Sequence, residues 1–156
     1  MKIKFLSIVA IAALMTSCSG DKPKTEVKEK APVKKEVVAE ASTADFMDDK
    51  GVGPIKSVEI GELDTALAGK GKAAFKSNGC TACHKISKRF VGPALKGVTQ
   101  RQSPEWIMNM ILNPEVMVVE NETAKQLLIE YNAPMANQNV SEEDARAILE
   151  YFRTKN

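Results

Sequence analysis

The residues best suited to chemistry stand together at positions 80–84, in the order Cys-Thr-Ala-Cys-His. Cys80 and Cys83 are two of the chain's three cysteines, and His84 is its only histidine. A structural zinc site needs four ligands, usually cysteine or histidine, and residues 63–156 do not supply a fourth. A dithiol redox site of this spacing is expected in a βαβ setting, whereas the flanking pattern is helical. Both kinds of site are therefore disfavoured.

The same spacing suits covalent attachment of haem. Two thiols separated by two residues can form thioether bonds to the two vinyl groups of one porphyrin, and the histidine that follows is then placed to ligate the iron. Because the chain has one histidine, it cannot offer a second imidazole to that iron. We therefore expect one haem c, bound covalently at Cys80 and Cys83, with His84 as an iron ligand.

The second iron ligand is expected to be a methionine thioether. Met108 and Met110 belong to an apolar helical pattern, where methionine usually fills space. Met117 follows Pro114 in a predicted loop after the helix that ends at Asn113, and it leads into an apolar segment that we expect to be buried. Met135 follows Pro134 between two predicted helices, in a loop that could bring its side chain over a haem face. The sequence favours Met135, and the alternatives are Met117, an open iron site, or a packing role for Met135.

The N-terminus has the features of an export signal. Lys2 and Lys4 flank the start of an apolar run over residues 5–14, which is too short to cross a bilayer but typical of a signal peptide. The small residues before Cys18, with Met15 where leucine is usual, resemble the lipobox of bacterial lipoproteins. This resemblance implies removal of residues 1–17 and lipid attachment at Cys18, which would anchor the chain at the periplasmic face of a membrane. An ordinary signal peptide is the alternative.

A charged linker is predicted from residue 18 to residue 45. It is rich in Lys and Glu, contains Pro23 and Pro32, and has no clear apolar face, so we expect disorder rather than an amphipathic helix over residues 27–41. Residues 46–62 are transitional and could lie as a strap along the domain that follows. No function is assigned to them.

Composition argues against nucleic acid as a partner. The formal net charge is +2, but residues 1–17 contain two lysines and no acidic residue. Removal of this segment leaves equal numbers of basic and acidic residues, and the two haem propionates would make the protein slightly anionic. Binding to nucleic acid needs a concentrated basic surface instead.

Residues 63–156 are expected to form an all-α domain. Aromatic residues make up 5% of the chain, and apolar residues recur at helical spacing. Four predicted helices each begin after a side chain that can cap a helix N-terminus. These capping residues are Asp64, Ser103, Thr123 and Ser141.

This same region resembles the class I bacterial cytochrome c family along its whole length. Such domains carry an N-terminal helix, the C-x-x-C-H motif, a Gly-Pro-x-Leu segment, a methionine loop and a C-terminal helix. The matching positions are Thr65–Ser77, residues 80–84, residues 92–95, Met135 and Glu142–Arg153. The resemblance implies a small cytochrome c fold of four to five helices around one covalently attached haem. It also implies that the first and last helices cross, with Gly71, Phe75, Leu149 and Phe152 as candidates for the contact.

The resemblance further implies roles within the haem pocket. The carbonyl of Pro93 is expected to accept a hydrogen bond from the ring of His84, and Leu95 is expected to pack against the porphyrin. Five residues are candidates for contact with the haem propionates, although each could equally be an ordinary surface or core residue. They are Arg89, Arg101, Trp106, Tyr131 and Asn137.

Ligation by histidine and methionine leaves no open position on the iron and suits electron transfer rather than catalysis. The resemblance thus implies a monomeric electron carrier, not an enzyme, that moves single electrons from a quinol-oxidising membrane complex to a terminal reductase or oxidase in respiration. Residues 106–114 and 131–139 are similar to small cytochromes of denitrifying and respiratory gene clusters, so nitrous oxide reductase is one candidate acceptor. A gas sensor or small haem enzyme and a haem-bearing assembly module are the alternatives.

Overall fold

The computed structural model describes residues 47–156, within which there are five α-helices from residue 65 onward, two 3₁₀ turns and no strand. We number the α-helices α1 (Thr65–Ser77), α2 (Pro104–Leu112), α3 (Pro114–Glu120), α4 (Glu122–Tyr131) and α5 (Glu142–Arg153). The predicted all-α fold is confirmed for this part of the chain. The predicted signal peptide, Cys18 and the linker lie outside the described residues. None of the helices described is both long enough and apolar enough to cross a membrane.

Helices α1 and α5 cross, as predicted. Gly71 of α1 is buried against the backbone of α5, where a β-carbon would overlap the carbonyl oxygen of Ala147 and lie 2.8 Å from the nitrogen of Ile148. Beside this contact, the rings of Phe75 and Phe152 pack edge to face with centroids 5.7 Å apart. The two helices can approach this closely because Gly71 has no side chain.

A buried carboxylate also joins α1 to α5. Glu150 is fully buried, and its carboxylate oxygens accept hydrogen bonds from Arg146 and Arg153, each at 2.6 Å, and from the backbone N–H of Asp64 at 2.9 Å. Burial by itself raises the pKa of Glu150, but these donors outweigh burial and leave the pKa below its ordinary value. Glu150 therefore stays charged and ties the start of α1 to α5.

The prediction for the middle of the chain was wrong in two respects. We expected a loop after Asn113 and a helix capped by Thr123. Pro114 instead begins a further helix, α3, since proline suits a first helical position where no N–H partner is needed. Asn121, not Thr123, caps α4 by accepting a hydrogen bond from the N–H of Ala124 at 3.0 Å. A proline that can end one helix can equally start the next.

Residues 49–60 form an irregular segment, which we call the strap, along a row of polar side chains on α2 and at its C-terminal end. The row consists of Glu105, Asn109 and the C-cap residue Asn113, spaced four residues apart. Asn109 holds the strap most firmly, because its Oδ1 accepts from the N–H of Ile55 and its Nδ2 donates to the carbonyl of Ile55, both at 2.9 Å. Glu105 accepts a strap N–H at 3.0 Å, and Asn113 donates to a strap carbonyl at 3.3 Å. The backbone of the strap is thus hydrogen-bonded to the side chains of this row.

Candidate functional site

The C-x-x-C-H motif follows α1 directly. Gly79, with φ of 76°, turns the chain at the end of the helix, and a 3₁₀ turn over Cys80–Ala82 follows. The N–H of His84 donates to the carbonyl of Cys80 at 2.9 Å, which closes the turn. Cys80 is half-buried and Cys83 is exposed, yet both cysteines and His84 line one cavity. The turn therefore brings all three candidate haem-binding side chains together.

The imidazole of His84 is held in one orientation. Its Nδ1 donates a hydrogen bond to the carbonyl oxygen of Pro93 at 3.2 Å, since a carbonyl can only accept. Burial lowers the pKa of His84, and the bond to Pro93 opposes this effect without cancelling it. The neutral form of the ring therefore predominates at pH 7, and its Nε2 keeps a lone pair that can bind a metal ion.

The segment after the motif closes around this imidazole. The N–H of Gly92 donates to the carbonyl of Cys83 at 3.0 Å, and a β-carbon at Gly92 would lie 2.6 Å from Cε1 of His84. Only glycine leaves room for the ring in this position. Pro93 and Leu95 line the same cavity, and Leu95 is buried. Both of the pocket residues predicted from the sequence therefore lie in the wall of this cavity.

The cavity has a volume of about 250 Å³ and mostly apolar walls. Apolar side chains that line it include Phe75, Ile107, Ile111, Leu127, Ile148 and Phe152. Gln102 also lines it, and its Oε1 is buried without a hydrogen-bond partner among residues 47–156. An apolar cavity that carries two thiols and a neutral imidazole on its wall fits a largely apolar group that contains a metal ion, as haem does.

The structure divides the four candidate methionines into two groups. Met110 of α2 and Met135, in the loop before α5, line the cavity. Met117 is fully buried elsewhere, and its Sδ accepts a hydrogen bond from the N–H of Val52 in the strap at 3.0 Å. Met108 lines a separate groove beside the strap. This arrangement disfavours Met117 as an iron ligand and brings Met135 to the cavity.

The candidate propionate ligands are not equivalent in the structure. Trp106 lines the cavity, but its indole N–H donates to Oδ1 of Asn121 at 3.0 Å and is therefore already used. Arg89 forms an exposed ion pair with Glu130 at 3.2 Å. Arg101 lines the cavity, and its guanidinium donates to two backbone carbonyls at 2.9 and 3.3 Å. Since a guanidinium has five N–H donors, Arg101 keeps donors for a bound carboxylate.

Two features of the site were missed from the sequence. One is Gln102, for which no sequence signal existed. The other is the attachment of the strap, for which a signal was present in the polar row of α2. Glu105, Asn109 and Asn113 recur every four residues on a helix that is otherwise apolar, and polar side chains buried on a helix face must find hydrogen-bond partners. Such a row predicts a covering segment of backbone.

Comparison with known proteins identifies related sequences. The cytochrome c family model matches residues 68–155. Cytochrome c-551 from Stutzerimonas stutzeri is 46% identical over 41 residues, which are 26% of this chain and 39% of that protein. Subunit 2 of cytochrome c oxidase from Alkalihalophilus pseudofirmus is 29% identical over 101 residues, which are 63% of this chain and 28% of that subunit. The chain thus spans less than half the length of each of these two relatives.

A solved structure shows the same fold at higher coverage. The cytochrome c from Rhodothermus marinus is 46% identical, with a TM-score of 0.63, and the match covers 72% of this chain and 91% of that one. The family model covers more than half of the chain. The chain therefore belongs to the cytochrome c family: it is an electron-transfer protein that carries covalently bound haem c with its iron.

Proposed function

We propose that the cavity beside the C-x-x-C-H motif holds the haem of a membrane-tethered electron carrier. The observation that carries this proposal is that Cys80, Cys83, His84 and Met135 all line one apolar cavity. The thiols of Cys80 and Cys83 would form thioether bonds to the haem, and His84 and Met135 would ligate its iron. When bound, the haem supplies a one-electron couple between Fe(III) and Fe(II).

The residues of the chain favour electron transfer over chemistry on a substrate. Two protein ligands would leave no free position on the iron. The Pro93 carbonyl fixes the ring of His84 and makes its free nitrogen more basic. The apolar walls exclude water from the site, and both burial and a methionine ligand raise the reduction potential. This combination supports a carrier rather than an enzyme or a gas sensor.

For its partners, we infer a quinol-oxidising membrane complex as donor and a terminal reductase or oxidase as acceptor. Similarity to a cytochrome c oxidase subunit supports an oxidase, whereas nitrous oxide reductase as acceptor rests on the sequence resemblance alone. Lipid attachment at Cys18 would hold residues 63–156 near the periplasmic face of a membrane. A flexible linker over residues 18–45 would have a root-mean-square span of about 30 Å, which suits docking to membrane partners.

The ligand assignment is tested by Met135→Leu beside Met110→Leu in the haem-loaded protein. Leucine keeps the side-chain volume nearly constant, so each variant removes one cavity thioether with little effect on packing. We expect Met135→Leu alone to lose the charge-transfer absorption of the thioether–iron bond in the oxidised protein. Its reduction potential should also fall, because a methionine ligand raises the potential.

The paired design separates the possible results. If Met110→Leu loses the absorption and Met135→Leu does not, Met110 is the ligand and the assignment is wrong. If neither variant changes the spectrum or the potential, iron ligation by a thioether of the cavity is refuted, and the carrier proposal loses its main support. The mass of the wild-type protein, with or without one added haem, tests covalent attachment independently.

A further inference from the structure

The proposed function leaves the strap without a role, yet hydrogen bonds link the strap through Asn121 to Trp106 in the wall of the haem cavity. Asp49, at the start of the strap, accepts hydrogen bonds from Nδ2 of Asn121 at both carboxylate oxygens, at 2.9 and 2.8 Å. Oδ1 also accepts from the N–H of Gly51 at 2.8 Å, and the Asp49 carbonyl accepts from the hydroxyl of Ser103 at 2.5 Å. Asp49 therefore joins the strap to α2 and to the cap of α4.

Asn121 transmits this constraint to the cavity. Its Oδ1 accepts from the indole N–H of Trp106 and from the N–H of Ala124, both at 3.0 Å. Because Nδ2 faces the carboxylate of Asp49 and Oδ1 faces two donors, the amide has one satisfied orientation. Trp106 is 4% exposed and lines the cavity. An unbroken path of hydrogen bonds thus runs from Asp49 through Asn121 to the cavity wall.

We propose that Asp49 is a positioning residue for Trp106, so that attachment of the strap sets how well the haem cavity is closed and thereby sets the reduction potential. Without the carboxylate, the amide of Asn121 is free to turn and its bond to the indole weakens. A looser indole admits water, and a more polar surrounding favours the more positive, oxidised haem. This inference rests on the proposed function, because it requires haem in this cavity.

A simpler explanation is that the strap only increases the stability of the fold. The backbone bonds to Asn109 and the burial of Ile55, which is 6% exposed, would stabilise the fold without any effect on the haem. The two explanations differ at Asp49. Asp49 lies at the end of the strap that reaches Asn121. Within residues 47–156, its carboxylate accepts hydrogen bonds only from Gly51, Asn121 and Thr123. A change confined to this carboxylate therefore tests the path to Trp106.

The experiment uses the full-length, haem-loaded, reduced protein with Asp49→Ala and Asp49→Asn. Asp48→Ala is the matched control, since Asp48 is adjacent and exposed. Trp106 is the chain's one tryptophan, so its indole N–H gives a single NMR signal whose hydrogen exchange reports the bond to Asn121. We expect exchange about tenfold faster or more in Asp49→Ala, because a charge-assisted hydrogen bond is lost. The effect should be smaller in Asp49→Asn, which keeps one acceptor oxygen, and absent in Asp48→Ala.

The reduction potential should fall in the same order as exchange accelerates. If both Asp49 variants unfold at lower denaturant concentration but keep the wild-type indole exchange and potential, the strap is only stabilising and the inference is wrong. If Asp49→Ala does not incorporate haem, the test rests on Asp49→Asn alone. Unchanged indole exchange and an unchanged reduction potential in that variant again overturn the inference. Failure of the proposed function would appear differently, as wild-type protein that lacks haem or thioether ligation.

Discussion

Replacement of Gly71 by alanine should force apart the two helices whose crossing supports the haem site. The new β-carbon would overlap the carbonyl oxygen of Ala147 and lie 2.8 Å from the backbone nitrogen of Ile148. Both are backbone atoms of α5, so rotation of a side chain cannot relieve the contact. Separation of α1 and α5 would also loosen the packing of Phe75 on Phe152. The substitution should therefore destabilise the protein despite the better helix propensity of alanine.

Gly69 provides the matched comparison, because it lies in the same helix and a β-carbon placed there would have no described atom within 4 Å apart from its chain neighbours and the backbone of α1. Gly69→Ala should raise the free energy of unfolding by about 0.5–1 kcal/mol through helix propensity and a less flexible unfolded chain. At Gly71 the same gain is opposed by overpacking, which typically costs about 1–3 kcal/mol and occasionally more. Since the overlap involves rigid backbone, we expect a net loss of about 2 kcal/mol for Gly71→Ala.

Denaturant and thermal unfolding of the two haem-loaded variants would measure this difference. Helix content and haem absorbance should report the same transition if unfolding is two-state. We expect the free energies of unfolding of Gly69→Ala and Gly71→Ala to differ by about 3 kcal/mol, which corresponds to roughly 10–20 °C in Tm for a domain of this size. If Gly71→Ala is as stable as the wild type, the helices are not held at backbone contact, and the reasoning fails. If Gly69→Ala is destabilising, the propensity argument fails instead.

Two other substitutions test the site and the link between α1 and α5. Gly92→Ala would place a β-carbon 2.6 Å from Cε1 of His84, so we expect less haem-loaded protein and a shifted haem spectrum; an unchanged yield and spectrum would contradict this. Glu150→Gln leaves the charges of Arg146 and Arg153 without their carboxylate and should cost about 3 kcal/mol at pH 7, measured by denaturant unfolding. Because the folded-state pKa of Glu150 lies below the ordinary 4.5, its charged form contributes fully above pH 4.5, and this contribution is lost as pH falls towards the folded-state value. Glu150→Gln should therefore lose less stability on acidification, and equal losses in the two proteins would refute this account.

Sequence alone determined those features that depend on near neighbours along the chain. The spacing of Cys80, Cys83 and His84 indicated haem attachment, and the structure brings all three to one cavity. Asp64, Ser103 and Ser141 were predicted as helix caps, and each accepts the expected backbone N–H. A cap bonds an N–H three residues further along, so the signal is local and can be read from the sequence. The α1–α5 crossing came instead from resemblance to a family.

Tertiary structure decided which of several equivalent residues reach the haem site. Met117 and Met135 are chemically identical, and only the folded chain shows that Met117 bonds Val52 of the strap while Met135 lines the cavity. From the sequence, the strap could be predicted only as a possible extended segment, because its hydrogen-bond partners lie far away along the chain. Asp49 and Asn121, for example, are 72 residues apart. Local signals carry no information about such pairs, since their contact depends on how all the intervening helices pack.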